Sequence, residues 1–228
     1  MKNANLTKKI IKEIDYYYNR VCCDTNDREY SWVHCYKNFY DTINDQVIDE
    51  DRVDYLSLHL AFYLSSWGMY RGSSFLVQKD YKIHKPAVNI ILKYGKTLSG
   101  LICSQISEIN TLKKIEEISL ELKNYYMMVR SKTRGEILTP ISDVLISKIL
   151  LGTLACVPAY DEFFVASIRK YNIATGTYGI KSIKKLADFY QNNESIFESK
   201  RKKMTLNGIE YPQMKFLDMG LWQLGVEK

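Results

Sequence analysis

The stretch from Leu56 to Lys85, LSLHLAFYLSSWGMYRGSSFLVQKDYKIHK, decides how the rest of the chain is read. It sets histidine, arginine, several tyrosines and a tryptophan among residues of core type. A helix that is apolar on nearly every side is expected to be buried, and a buried polar group costs free energy unless it is paired. His59, Tyr63, Trp67, Tyr70 and Arg71 are therefore expected at internal hydrogen bonds or around a pocket. Asp49, Glu50 and Asp51 suit the positive end of this helix's dipole, and Gly68 and Gly72 should end or kink it.

Outward from that segment, three- and four-residue spacing dominates. Leu6, Ile10, Ile11, Ile14, Tyr17, Tyr18 and Val21 mark a first amphipathic helix, and Tyr30, Val33, Tyr36, Phe39, Tyr40 and Ile43 a second. Pro86, Pro140, Pro158 and Pro212 each precede an apolar-periodic stretch, as proline does in a first helical turn, and Thr139 is a candidate N-cap. The helices expected there span 86–94, 141–152, 159–171 and 212–224, with two more over 104–129 and 179–192. Alternation is confined to Lys203–Tyr211, where Asn207-Gly208 marks either a hairpin or a surface turn. The expected fold is all-α: one compact multi-helix domain over 1–228 with at most one short β-hairpin, and Ser131–Gly135 as the candidate junction between two helical halves.

No run reaches the roughly 18–20 apolar residues that a bilayer span needs. The longest candidate, Leu56–Met69, is interrupted by Ser57, His59, Ser65 and Ser66. The opening MKNANLTKKIIKEI lacks the apolar core of a signal peptide. Cys22, Cys23, Cys35, Cys103 and Cys156 are odd in number and scattered, which reads as reduced thiols. The expected location is the cytoplasm, with no membrane partner.

The net charge of +6 is uneven: residues 166–228 hold 11 Lys/Arg against 6 Asp/Glu, with the maximum at Lys200, Arg201, Lys202 and Lys203. Such a run can hold nucleic-acid phosphates. The plainer alternative is a solvated loop.

Several chemistries fall away. Gly95-Lys96-Thr97 imitates the end of a phosphate-binding loop, but the glycine needed five positions earlier is Ile90. No GxSxG, HExxH or GxGxxG occurs. Cys22-Cys23 and His34-Cys35 are adjacent pairs whose side chains diverge on a helix, and His34, His59 and His84 lack metal spacing, so neither metal nor cofactor is expected.

Three constellations remain. His59, Tyr63 and Trp67 share four-residue spacing, continued by Arg71 if the helix persists. The histidine could serve as a general base and the arginine as a clamp for phosphate or carboxylate. Lys148 lies in an apolar helix, with Tyr160 and Asp161 opening the next. A lysine among apolar neighbours can act as an amine nucleophile. Lys215, Asp218 and Trp222 lie along one further helix. The alternative for all three is structural: a histidine satisfied by a carbonyl, a lysine reaching solvent, and a salt bridge beside a packed indole.

The segments HLAFYLSSWGMYRGSS, LLGTLACVPAYDEFF and YPQMKFLDMGLWQLG together resemble small bacterial helical proteins with no known activity. Within them, VPAYDEFF is similar to the part of helix-hairpin-helix DNA glycosylases where an aspartate opens a helix after Val-Pro. That resemblance implies Asp161 as catalytic acid and Lys148 as candidate amine. The chain departs from the pattern by an extra residue between Pro158 and Asp161, by lacking an LPGVG-type hairpin, and by placing Lys148 away from the hairpin position.

The leading expectation is a protein that binds or processes nucleic acid. The basic run would track phosphates, and His59, Arg71, Lys148 and Asp161 would face a base within a pocket that includes Tyr63, Trp67, Tyr70, Tyr160, Lys215, Asp218 and Trp222. The rival readings are a non-enzymatic interaction module with a structural polar core, and a small-molecule enzyme.

Overall fold

The most deeply buried helix is the last, α11 (Gln213–Val226), in which every residue from Gln213 to Gly225 is buried. Two glycines allow its neighbours to come close. A Cβ on Gly220 would sit 3.0 Å from the carbonyl oxygen of Ile10 in α1 (Lys2–Cys23). One on Gly225 would sit 2.0 Å from the carbonyl oxygen of Phe163 in α8 (Glu162–Lys170). α1 and α8 are accordingly the main partners of α11.

The computed structural model describes residues 2–45, 48–72, 74–134 and 140–226 and is 73% helical. Its other helices are α2 (Tyr30–Asn44), α3 (Glu50–Ser66), α4 (Lys85–Leu98), α5 (Cys103–Ile106), α6 (Ile109–Arg134), α7 (Asp143–Thr153), α9 (Ile180–Gln191) and α10 (Glu194–Arg201). The one sheet among the described residues is an antiparallel hairpin of β1 (Thr205–Leu206) and β2 (Ile209–Glu210), with Thr205 opposite Glu210. Asn207 and Gly208 both take positive φ, 52° and 78°, as a tight primed turn requires. No helix among these residues is long and apolar enough to cross a membrane.

α3 packs between α2 and α4 and also touches α7. Asp49 caps its start by accepting the Arg52 N–H at 2.8 Å. Its end at Ser66 is closed off by Gly68, whose φ of 75° lets the Met69 N–H reach back to the Leu64 carbonyl at 2.8 Å. The helix therefore does not persist to Arg71. Two short 3-10 turns, Phe75–Gln78 and Tyr81–His84, then lead into α4, which carries Pro86 in its first turn.

Elsewhere the boundaries differ from the sequence expectation in instructive ways. The stretch expected as 104–129 is divided into α5 and α6. α10 was not foreseen, and it absorbs the first half of the basic run. Ser131–Arg134 continue α6, while Gly135 and the candidate cap Thr139 lie outside the described residues. Ser142 caps α7 by accepting the Val144 N–H. α8 begins at Glu162 and not 159, because the chain from Leu154 to Tyr160 is a fully buried connection. A buried connection needs partners for its backbone groups. Two are side chains: Asp218 Oδ1 accepts the Ala159 N–H at 3.0 Å, and Ser147 Oγ accepts the Tyr160 N–H at 2.9 Å. Buried hydrophobic residues from Ile10 to Leu224 form one contiguous core.

Candidate functional site

α7 and α8 bring Lys148 and Asp161 together. Lys148 is 4% exposed, and its Nζ donates to Asp161 Oδ2 at 3.0 Å. The other carboxylate oxygen, Oδ1, accepts the Phe164 N–H and caps α8. Asp161 is thus fixed from two sides, by a helix start and by an ammonium.

A second ion pair lies behind the first, within α11. Lys215 Nζ donates to Asp218 Oδ2 at 3.0 Å and to the Tyr17 hydroxyl at 3.4 Å. Burial raises the Asp218 carboxyl above its ordinary value, a shift that Lys215 and the Ala159 N–H oppose. Burial also pushes the Tyr63 phenol well up, with Asp218 and Asp161 adding negative potential. Gly152 on α7 makes room for Tyr63, since a Cβ there would stand 2.3 Å from its ring.

Aromatic rings separate and screen the two ammonium groups. Lys148 Nζ lies 5.0 Å from the Trp67 ring centroid, and Lys215 Nζ lies 4.9 Å from Tyr17, 5.2 Å from Trp32 and 6.0 Å from Trp67. Trp67 thus faces both lysines. Such contacts contribute about 0.5–2 kcal/mol each, the upper value when the cation is desolvated.

On the outer side of Trp67 a cleft of about 520 Å³ opens between the end of α3 and the starts of α7 and α8. That volume falls in the range of small-molecule sites. Lys148, Asp161, Trp67 and Trp222 line it, with Arg28, Arg71 and Glu162 also contributing. Trp67 and Trp222 meet edge to face at 5.5 Å, and Phe163 meets Trp222 in the same way at 5.8 Å. The Arg28 guanidinium lies over both indoles, 5.2 Å from Trp67 and 5.8 Å from Trp222. Arg71 packs over Gly68 and forms no ion pair among the described residues. The indole N–H groups of both tryptophans are buried and have no acceptor among the described residues.

No protein-family model, curated protein or solved structure matches the chain.

Of the residues singled out from the sequence, Lys148, Asp161, Trp67, Tyr70, Arg71 and Trp222 line this cleft. Tyr63, Lys215 and Asp218 are buried and do not line it. Tyr160 is buried elsewhere in the core, donating to Ser182 Oγ at 2.9 Å. His59 is not brought to the cleft. It is half-buried toward α2, with Nε2 3.5 Å from Asn38 Nδ2 and its ring against Tyr55. Four-residue steps advance roughly 40° around a helix, so eight residues turn the face by about 80°. Burial and the nearby His34 lower the pKa of His59.

The basic run is divided. Lys200 pairs with Asp15 at 2.5 Å, and Arg201 is tied to Glu198, Glu210 and the Tyr211 carbonyl. Lys202 and Lys203 are exposed. Two of the four expected phosphate-binding cations therefore serve the fold. Among the described residues no cluster of three or more His, Cys, Asp or Glu side chains is arranged to hold a metal ion.

Two contributors escaped the sequence reading. Arg28 is a single arginine in the connection between α1 and α2, with no spacing that announces it. His84 was weighed only for metal binding, yet it is fully buried with both ring nitrogens engaged.

Proposed function

We propose that this chain binds a nucleotide unit, a flat base bearing phosphate, in the cleft at Trp67 and Trp222. The cleft itself carries the reading: about 520 Å³, lined by two indoles, Lys148 and the guanidinium groups of Arg28 and Arg71. Arg28, which lies over both indoles and lines the cleft, supplies a planar guanidinium against which a base can stack. Arg71 supplies an uncommitted guanidinium for the phosphate, the group suited to bidentate recognition. Lys148 and Asp161 stand at the same cleft as a positioned amine and carboxylate and are the groups that would act on a bound ligand. The five cysteines stand free, which supports a reducing compartment such as the cytoplasm.

A nucleotide can come free or as part of a strand, and the test separates the two sources. Tryptophan fluorescence is titrated with the four ribonucleoside monophosphates and, separately, with short single-stranded oligonucleotides. Quenching by the monophosphates is expected, weakened about tenfold in Arg71→Ala by loss of one charged hydrogen bond. Quenching by oligonucleotides alone assigns the site to a strand. No response to either set by folded protein overturns the proposal.

One observation favours the interaction-module reading. Tyr55, Leu58 and Phe62 are exposed along one side of α3, an apolar stripe of the kind that marks contact surfaces.

A further inference from the structure

Behind Tyr70 lies a buried chain of hydrogen bonds. The Tyr70 hydroxyl is 2.5 Å from His84 Nε2, and His84 Nδ1 is 2.6 Å from the Tyr126 hydroxyl. His84 and Tyr126 are both fully buried. Burial holds the imidazole down at about 4, so the ring is neutral near pH 7.

A neutral imidazole has one N–H to donate and one lone pair to accept with. Tyr126 has His84 as its only hydrogen-bond partner among the described residues. If Nδ1 carried the proton, the buried Tyr126 O–H would have no acceptor, and an unpaired buried donor is costly. The favoured arrangement has Tyr126 donating to Nδ1 and Nε2–H donating to the Tyr70 oxygen. Tyr70 then cannot donate back to His84, so its own proton points elsewhere. Tyr70 is half-buried and lines the cleft beside Trp67 and Arg71.

Resting on the reading of that cleft as a ligand site, we infer that Tyr70 is its neutral hydrogen-bond donor, aimed by His84 and Tyr126 at an acceptor atom of the bound molecule. The buried chain makes Tyr70 selective. With Nε2–H occupying its oxygen, the phenol offers a proton and favours a carbonyl oxygen, phosphate oxygen or ring nitrogen over an amino group at that point. A site built to donate to one atom rejects an analogue that lacks it, because the donor is then covered by the ligand and left unpaired. His84 and Tyr126 do not line the cleft and act as positioning residues.

Two measurements test this separately. In the free protein, nitrogen-15 NMR of the His84 ring should show a protonated Nε2 and an unprotonated Nδ1, and a protonated Nδ1 overturns the inference without any ligand. In the second, the four ribonucleoside monophosphates are titrated into the wild type and into a Tyr70→Phe chain shown to melt at the wild-type temperature. The variant should bind about tenfold more weakly, the loss of one hydrogen bond. Equal binding by both chains removes Tyr70 as donor while leaving the cleft reading intact. Binding by neither overturns the cleft reading and the role of Tyr70 with it.

Discussion

α11 and the Leu56–Lys85 segment bury polar groups in opposite ways. α11 buries two charges, Lys215 at 1% exposure and Asp218 at 5%, and neutralises them against each other three residues apart. The segment from Leu56 to Lys85 buries a titratable group uncharged, His84, and satisfies it with two phenols. α3 also leaves Leu58 and Phe62 half exposed, whereas α11, although it carries Lys, Asp and two Gln, is buried along almost its whole length. Position in the fold and the presence of partners let α11 bury its charged groups.

The largest expected effect comes from breaking the charge pair. Lys215→Ala leaves Asp218 buried without its ammonium and should destabilise by about 3–5 kcal/mol, the usual cost of orphaning a buried charge. The double change Lys215→Met with Asp218→Asn should recover most of that loss, because the amide oxygen still accepts the Ala159 N–H. Chemical denaturation of the three chains decides the matter. A single-mutant loss below about 1 kcal/mol would mean that water reaches Asp218 and that α11 is not the buried axis described.

The second effect is a pH dependence specific to His84. Its folded pKa of about 4 lies below the ordinary value near 6.5, so the unfolded chain binds the proton more readily. The stability it protects is complete above pH 6.5 and is lost progressively as pH falls toward 4. The total is about 3 kcal/mol, from the pKa difference at 1.36 kcal/mol per unit. Denaturation from pH 7.5 to 4 should show that slope in the wild type and its reduction in His84→Gln. Identical slopes would mean that His84 is not held neutral, erasing the contrast with α11.

Helix periodicity was legible because amphipathic faces repeat locally, as in α1, α2 and α9. The hairpin was legible because Asn207-Gly208 is one of few pairs that accept positive φ together. Lys148 and Asp161 stood out as charges inside apolar runs, and their pairing follows from one tight connection between consecutive helices. What stayed hidden depended on distant partners. Lys200 looked free until Asp15 met it from α1, and His84 looked idle until Tyr126 met it from α6. Spacing also misled at His59, because a helical face drifts with length and α3 ends before Trp67.

A third test adds a single carbon to the contact between α11 and α8. Gly225→Ala would push a methyl group onto the Phe163 backbone, 2.0 Å from its carbonyl oxygen, and backbone cannot rotate away as a side chain does. The expected cost is about 1–3 kcal/mol, that of overpacking a filled interface. A thermal midpoint unchanged from wild type would show that α8 and α11 stand further apart than the structure has them.

The smallest effect belongs to the outer face of α3, and it bears on the other half of the contrast. Leu58 is 50% exposed and Phe62 56% exposed, so each keeps much of its side chain in water in the folded state. Replacing either with serine removes little buried area and makes no cavity, and surface changes of this kind usually stay within about 0.5 kcal/mol. Leu58→Ser and Phe62→Ser should therefore unfold at nearly the wild-type denaturant midpoint, at every protein concentration. A loss above about 1.5 kcal/mol that grows with protein concentration would show that α3 buries this stripe against a second copy in solution. In that case α3 would be covered on both sides like α11, with its missing partner supplied from outside the chain.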